Sequence, residues 1–147
     1  MKQIKHIGAY GLVIKDNKIL LIKKKGGPYD GKLDLPGGTI EFNESIEDAL
    51  KRELLEEVGI EILNYNLFDV VSTNIKWIYK DELVETKHIA ILYLIKDYKN
   101  DIKENIEITE INDDSMGAEY FDIDKLTKEQ LSNIALIAMQ KLNYNRR

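Results

Sequence analysis

The sequence predicts an α/β fold, in which a mixed β-sheet carries helices on both faces. Strand-like apolar segments come first, a helical segment interrupts them, and a second helical segment lies near the C-terminus. That order is typical of a sheet flanked by helices. The 147 residues suit one domain over residues 1–147, because a chain of about this length buries enough surface to fold without a disulfide or structural metal.

The composition is that of a soluble globular protein, with 44% hydrophobic and 32% charged residues. There is no cysteine, which excludes disulfides and thiolate metal sites and is compatible with the cytoplasmic location that we expect. The short apolar run near the N-terminus is interpreted as a strand rather than a signal peptide. No apolar run approaches the roughly 20 residues that cross a bilayer, so no membrane partner is expected.

The net charge of −5 bears on the choice of partner. Proteins that bind nucleic acid through its backbone usually carry a basic field, so a nucleic-acid partner is not expected. A polyphosphate ligand would need divalent cations to offset the repulsion between two anions.

The first half of the chain predicts a hairpin followed by a glycine-rich loop. Strands over residues 4–14 and 18–22 flank Asp16 and Asn17, which tolerate the positive φ of a tight turn. Residues 26–38 contain both prolines and several glycines, so we expect a loop with one short strand near residues 33–35.

A helix is predicted over residues 45–58, where Ser45 and Asp48 resemble a capping box and Gly59 supplies the stop. Strands are predicted over residues 60–67, 70–79 and 85–98, followed by an irregular acidic stretch over 99–117. A short strand over 119–121 and a final helix over 128–143, capped by Thr127 and Gln130, complete the prediction.

The helix over residues 45–58 has an apolar stripe that turns acidic. Ile46 and Leu50 belong to the expected core face, and Glu53 and Glu57 follow them by seven positions, with Glu56 three after Glu53. Carboxylates at this spacing repel one another, and partial burial adds a desolvation cost. Bound Mg²⁺ or Mn²⁺ would resolve the conflict, since both prefer carboxylate oxygens. The alternative is an ordinary amphipathic helix with a solvated acidic face.

Two neighbouring features fit a cation site. Arg52 lies four residues before Glu56 and supplies a fixed counter-charge. Gly37 and Gly38 precede the helix and allow the backbone to turn sharply beside a ligand.

The segment GGTIEFNESIEDALKRELLEEVGI, residues 37–60, resembles the signature of the Nudix hydrolase family. Every place that the signature specifies is filled, by Gly38, Glu44, Arg52, Glu53, Leu54, Glu56, Glu57, Gly59 and Ile60. The LPGG at residues 35–38 and the acidic Glu41 also match the family, and residues 118–126 are similar to its last strand and turn. Leu33-Asp34 stands where many members carry a tryptophan.

The resemblance implies a Nudix-type α/β/α sandwich around a mixed sheet, and metal-dependent hydrolysis of a nucleoside diphosphate linked to another group. It implies that Mg²⁺ or Mn²⁺ is held by Glu53, Glu56, Glu57 and the carbonyl of Gly37. Arg52 would orient Glu56, and Glu44 would support the loop or bind metal through water. The general base would be Glu53 or Glu56.

Residues outside the motif offer alternatives for the base. These are Asp113, Asp114 and Glu119, although solvated residues of a loop or edge strand are the more common interpretation of such side chains.

Other polar and aromatic residues are interpreted with their commonest roles. The run Lys23, Lys24 and Lys25 offers a contact to substrate phosphate, with Lys23 and Lys25 as our candidates and a solvated hairpin end as the equal alternative. His6 and His88 are interpreted as structural because no ligand spacing links them. Phe68, Trp77 and Tyr79 are interpreted as packing residues, with base stacking as the alternative.

By elimination, the leading substrate is a small-molecule nucleoside triphosphate, intact or oxidised. Members that act on ADP-ribose carry a proline downstream of the motif, and both prolines here lie upstream. Tyr79 falls just outside the spacing of the tyrosine that marks dinucleoside polyphosphate hydrolases. RNA 5′ ends are a further alternative, which the acidic charge disfavours.

A catalytically silent Nudix domain that senses nucleotides or binds a protein is the alternative from another class, and the intact set of glutamates counts against it. The sequence does not address oligomeric state.

Overall fold

The computed structural model describes residues 1–99 and 115–145. The strands are β1 (Lys2–Lys15), β2 (Lys18–Lys24), β3 (Leu33–Asp34), β4 (Gly37–Thr39), β5 (Glu61–Tyr79), β6 (Glu82–Lys99) and β7 (Ser115–Asp122). The helices are α1 (Ile46–Val58) and α2 (Asn133–Asn145), with short 3-10 turns at Ile123–Lys125 and Lys128–Gln130.

The sheet is mixed, as predicted. Its order is β3-β2-β1-β6-β5, with β4 paired to β1 and β7 paired to β2. Strand β1 runs parallel to β6, whereas the β1–β2, β1–β4, β2–β7 and β5–β6 pairs are antiparallel. Strand β1 therefore joins the two halves of the sheet, and it also pairs with β4, the strand that precedes α1.

Each face of the sheet packs against one helix, which confirms the predicted fold class. On one face Leu12 and Leu21 share a core with Ile134 and Ala138 of α2. On the other face the core contains strand residues such as Ala9 and Val13 together with Ala49, Leu50, Leu54 and Val58 of α1. Consecutive residues of β1 point to opposite faces, so one strand supplies both cores. Neither of these helices combines the length and the apolar character that crossing a bilayer requires.

The predicted hairpin is confirmed. Asp16 and Asn17 have φ of 53° and 60°, as a two-residue type I′ turn requires. A second turn of this kind, at Lys80 and Asp81 with φ of 49° and 65°, joins β5 to β6.

Helix α1 also agrees with its prediction. The Ser45 hydroxyl accepts a hydrogen bond from the Asp48 N–H, and Gly59 ends the helix with φ of 74°. Ala49, Leu50, Leu54 and Val58 are fully buried. The expectation that Ile46 faces the core is wrong. Its side chain is 40% exposed because it is the first helical residue, almost a turn before the buried pair.

Three other boundaries differ from the prediction. The strands predicted over 60–67 and 70–79 form one strand, β5, whose register shifts between Leu67 and Asp69 absorb the irregular stretch. Strand β4 replaces part of the predicted loop. The last helix begins at Asn133 instead of residue 128, because Leu131 bridges to Leu33 and the Ser132 N–H donates to the Leu33 carbonyl. Thr127 and Gln130 cap only the preceding 3-10 turn.

Candidate active site

The glycine turn before α1 packs tightly between β1 and the helix. Gly37 has φ of 144°, and a Cβ there would collide with the Ala9 carbonyl oxygen and with Tyr10. A Cβ at Gly38 would lie 2.7 Å from Oε2 of Glu53. Both glycines are therefore needed because the backbone approaches a strand on one side and a carboxylate on the other.

Glu57 is the innermost carboxylate of the helix, at 3% exposure. Its Oε1 accepts a hydrogen bond of 2.7 Å from the Gly37 N–H. A charged group this deep requires such compensation, since leaving it unpaired would cost several kcal/mol, on the order of a buried ion's effective penalty. The position seven residues after the buried Leu50 thus carries a carboxylate inside the protein, as the periodicity of the helix predicts.

Arg52 gathers the outer carboxylates. Its Nη2 and Nε donate to the two Glu44 oxygens at 2.6 and 3.0 Å, and its Nη1 donates to Glu53 at 2.8 Å and to Glu56 at 3.3 Å. Nη2 also donates to the Thr39 carbonyl at 3.0 Å. The expected contact to Glu56 exists, but the contacts to Glu44 and Glu53 are shorter. Arg52 therefore ties the helix to the turn before it and to β4.

The charges of this group shift one another's pKa. Hydrogen bonds from Arg52 lower the pKa of Glu44 to about 2. Burial and, to a smaller extent, the charge of Glu56 raise the pKa of Glu53, and this rise is opposed by the hydrogen bond and charge of Arg52 and by the charge of Lys24. The Glu53 side chain is only 17% exposed, and this partial burial disfavours its charged form.

Within residues 1–99 and 115–145, no three His, Asp or Glu side chains converge into a ready-made cation cage. The physical reason is that Glu53 and Glu56 turn toward Arg52 while Glu57 turns toward Gly37. The donor types nevertheless fit a hard divalent cation, since all are oxygens. Gly38 also lets the backbone approach Glu53 closely, because a Cβ there would lie only 2.7 Å from Oε2 of this carboxylate.

The lysine run is resolved by exposure and charge. Lys23 and Lys25 are exposed, whereas Lys24 is partly buried, and the Lys24 charge acts on Glu53, Asp34 and His88. Our sequence prediction chose Lys23 and Lys25 for the phosphate contact, and that choice stays a prediction; Lys24 is the member of the run whose charge acts on Glu53 and Asp34.

The candidate bases outside the motif have separate outcomes. Glu119 lies on β7 opposite Leu21, and with Lys23 it lines a cavity of about 120 Å³. Leu21 and Phe121, which also line this cavity, belong to the core under α2, so Glu119 is on the sheet face away from α1. Asp113 and Asp114 lie outside the described residues.

Asp34 is a buried carboxylate that the sequence prediction missed. It is 2% exposed, and its Oδ1 accepts hydrogen bonds from the Ser132 hydroxyl at 2.7 Å and the Leu35 N–H at 2.8 Å. Burial raises its pKa, which the Lys24 charge opposes. An acidic residue between two leucines was the available signal.

The aromatic residues and the histidines mostly have packing roles. Phe68 packs against the core under α2, and the Trp77 indole N–H donates to the Thr86 hydroxyl at 2.9 Å. Tyr79 is 48% exposed, and its ring lies 5.5 Å from that of Trp77. His88 is 2% exposed and hydrogen-bonded on both ring nitrogens.

A comparison with protein families assigns this arrangement. The model of the NUDIX domain matches residues 5–141, which include every residue of the site described above. The chain belongs to the NUDIX family. The resemblance inferred from the sequence is thereby confirmed.

Individual NUDIX relatives agree with this assignment. An ADP-ribose pyrophosphatase of Methanocaldococcus jannaschii is 35% identical over 118 residues, which cover 80% of this chain and 62% of the relative. The match thus spans less than two thirds of that protein. An 8-oxo-dGTP diphosphatase of Proteus vulgaris is 32% identical over 101 residues, or 67% of this chain and 82% of the relative. The crystal structure of a MutT NUDIX hydrolase from Burkholderia pseudomallei superposes with a TM-score of 0.74 at 26% identity, covering 93% of this chain and 97% of that one.

His88 generates a prediction about stability and pH. Burial, followed by the charges of His6 and Lys24, lowers its pKa from the usual 6.5 to about 3. His88 therefore binds a proton near pH 6.5 in the unfolded chain, whereas in the folded protein it stays neutral at this pH. Stability should be fully present above about pH 6.5 and should fall as the pH drops toward 3. One proton corresponds to at most about 2 kcal/mol between pH 6.5 and 5.

Urea unfolding at about pH 7, 6 and 5 measures this effect. The lowered pKa of Glu44 also makes the folded protein less stable as the pH falls, but only at more acidic pH. The raised pKa values of Asp34 and Glu53 have the opposite effect on stability. The matched control is His88→Gln, which removes the titrating ring and should flatten the pH dependence. An equal slope in the two proteins would contradict the assignment to His88.

Proposed function

We propose that this chain is a metal-dependent pyrophosphohydrolase that cleaves a phosphoanhydride bond in a nucleoside diphosphate derivative. The observation that carries the proposal is the pairing of the buried Glu57 with the Gly37 turn, beside Glu53 and the Arg52 hub. Nothing in the packing of a helix requires a carboxylate there, so its retention inside the protein points to ligand chemistry. The cytoplasmic location expected from the composition is part of the same proposal.

Mg²⁺ or Mn²⁺ would be held by Glu53, Glu56, Glu57 and the Gly37 carbonyl, and when bound it supplies charge neutralisation at the phosphate oxygens and a more acidic water. Arg52 keeps Glu53 and Glu56 oriented, and Glu44 holds the Arg52 fork in place. Glu53 or Glu56 accepts the proton of the attacking water.

An oxidised purine nucleoside triphosphate is the leading substrate in this proposal. It agrees with the name of the Proteus vulgaris relative and with the elimination made from the sequence. ADP-ribose is the second candidate, because the archaeal relative that bears that name covers most of this chain. Intact triphosphates, dinucleoside polyphosphates and RNA 5′ ends complete the set to be compared. The net charge of −5 disfavours the last of these.

We expect hydrolysis to require a divalent cation. Metal-stripped protein should be inactive in excess chelator, and Mg²⁺ or Mn²⁺ should restore activity, because without cations the carboxylates of α1 repel a polyphosphate. The measurement is kcat/KM for 8-oxo-dGTP, dGTP, ADP-ribose, a dinucleoside polyphosphate and a 5′-triphosphorylated RNA at matched concentrations. The same cations should raise the melting temperature through preferential binding to the folded protein. Full activity in chelator would contradict the mechanism, whereas a thermal shift without hydrolysis of any nucleotide would favour the silent-domain alternative.

The second functional prediction separates the helix from the distant acids. Glu57→Gln keeps the oxygen that accepts from Gly37 but removes the charge, so kcat at saturating cation should fall by about 10² or more. Glu119→Gln should cost less than about tenfold, because Glu119 is on the opposite sheet face. Asp113→Asn and Asp114→Asn are measured in parallel. Near-normal turnover in Glu57→Gln combined with loss in one of the other variants would move the chemistry away from the helix.

The third functional prediction concerns the lysine run. Lys24→Ala should lower kcat/KM by about tenfold to a hundredfold, the range expected when a charged hydrogen bond to phosphate is lost. Lys23→Ala and Lys25→Ala are matched controls from the same run, and because both side chains are exposed they should remain within about threefold of the parent. A larger loss in either control than in Lys24→Ala would reverse this assignment.

A further inference from the structure

Three buried side chains form a continuous hydrogen-bond chain under the glycine-rich loop. Tyr10, Tyr29 and His88 are 3%, 5% and 2% exposed. The Tyr10 hydroxyl lies 2.7 Å from Nε2 of His88, and the Tyr29 hydroxyl lies 2.8 Å from Nδ1. The His6 ring stacks on the His88 ring at 4.5 Å, so the imidazole is fixed in its plane and on one face.

The protonation states make this chain directional. Burial lowers the pKa of His88 to about 3 and raises the pKa of both tyrosines, so all three groups are neutral near pH 7. A neutral imidazole has one donor nitrogen and one acceptor nitrogen. One tyrosine therefore donates and the other accepts, and loss of either hydroxyl leaves a buried ring nitrogen without its partner.

One end of the chain reaches the Gly37 turn. A Cβ at Gly37 would stand 2.8 Å from Cδ1 of Tyr10, so the tyrosine ring lies directly against the glycine backbone. Tyr10 also pairs with Gly37 across β1 and β4. The N–H of this same Gly37 holds Glu57. The Tyr10 ring therefore packs against the peptide whose N–H makes the Glu57 contact.

The other end of the chain holds the loop over residues 25–32. Tyr29 is its buried residue, and its carbonyl accepts a hydrogen bond from the Lys32 N–H at 2.9 Å. The loop follows Lys24, whose charge acts on both Glu53 and His88. The chain thus runs from the loop to the turn through a single imidazole.

We propose that Tyr10, His88 and Tyr29 are positioning residues that align the Gly37 turn with Glu57 and couple this alignment to the loop over residues 25–32. The proposal rests on the proposed function, in which Gly37 and Glu57 help to hold the cation. The two tyrosines need not touch the substrate or the cation, because they act through the turn.

Two measurements on Tyr→Phe variants test this. The first is the exchange rate of the Gly37 amide hydrogen by NMR in metal-free protein, and the second is the dissociation constant of Mn²⁺ from the loss of its free-ion paramagnetic signal. Tyr10→Phe and Tyr29→Phe should each accelerate Gly37 exchange at least about fivefold and weaken Mn²⁺ binding about threefold to tenfold, as loss of one buried hydrogen bond predicts. Because both act through His88, the double variant should show clearly less than the product of the two effects.

The matched control is Tyr98→Phe, which removes a hydroxyl bonded at 2.6 Å to the Tyr120 hydroxyl and outside the His88 chain. It should leave both quantities within about twofold of the parent protein. Tyr29→Phe is the decisive variant, because the Tyr29 hydroxyl reaches the turn only through His88. If Tyr10→Phe does not fold, the result for Tyr29→Phe tests the proposal by itself. The proposal would be overturned if Gly37 exchange were unchanged in Tyr29→Phe, or if the effects in the double variant were fully multiplicative. Equal effects in Tyr98→Phe would also overturn it, as would faster Gly37 exchange with unchanged Mn²⁺ binding. Parent protein that binds no Mn²⁺ would instead contradict the proposed function, and Gly37 exchange would then decide the positioning role.

Discussion

The arrangement of the site depends on one guanidinium surrounded by carboxylates. Helix α1 carries more negative charge on its inner side than a helix can hold without compensation, and Arg52 supplies that compensation in a fixed geometry. The planar fork of arginine suits this role, because it can bond the two oxygens of Glu44 and still reach Glu53. Since Glu44 and Thr39 precede the helix, the same side chain fixes how α1 meets β4. The hydrogen bonds that offset the repulsion between the carboxylates therefore also constrain the backbone of the turn before α1.

Glu57 is stabilised by a different device. It is 3% exposed, and its Oε1 accepts a hydrogen bond from the Gly37 N–H. The acidic side of α1 thus has an outer pair, Glu53 and Glu56, that accepts hydrogen bonds from Arg52, and an inner carboxylate that accepts one from a backbone N–H. In the proposed function, a metal ion would compete with Arg52 for the oxygens of Glu53 and Glu56. Cation affinity would then be a difference between two ionic interactions, while the Gly37 contact would set the geometry of the third ligand.

The features that were predictable from the sequence are those with local causes. The turn at Asp16 and Asn17 follows from two residues that tolerate positive φ, and the limits of α1 follow from Ser45 and Gly59. The carboxylate set of the site was also readable, because helical spacing relates its members. The start of α2 was not, since Leu131 leaves the helical pattern only by bridging to Leu33, a residue far away in the sequence. The union of two predicted strands into β5 likewise depends on its long pairing with β6.

The same distinction applies within the site. A run of three lysines contains no local signal for which member approaches Glu53, and the choice of Lys24 arises only when β2 is set beside β3 and the loop between them is closed. Tyr10 and His88 are 78 positions apart in the chain, and they meet because β1 and β6 are parallel neighbours. In the proposed function, the motif would thus specify which oxygens face the ligand, and the pairing of the strands would position the groups that support them. An acidic chain that binds a polyphosphate must supply its countercharge locally, and Arg52 is already committed to carboxylates. In the proposed function, the countercharge would then come from bound cations and from Lys24, whose charge acts on Glu53.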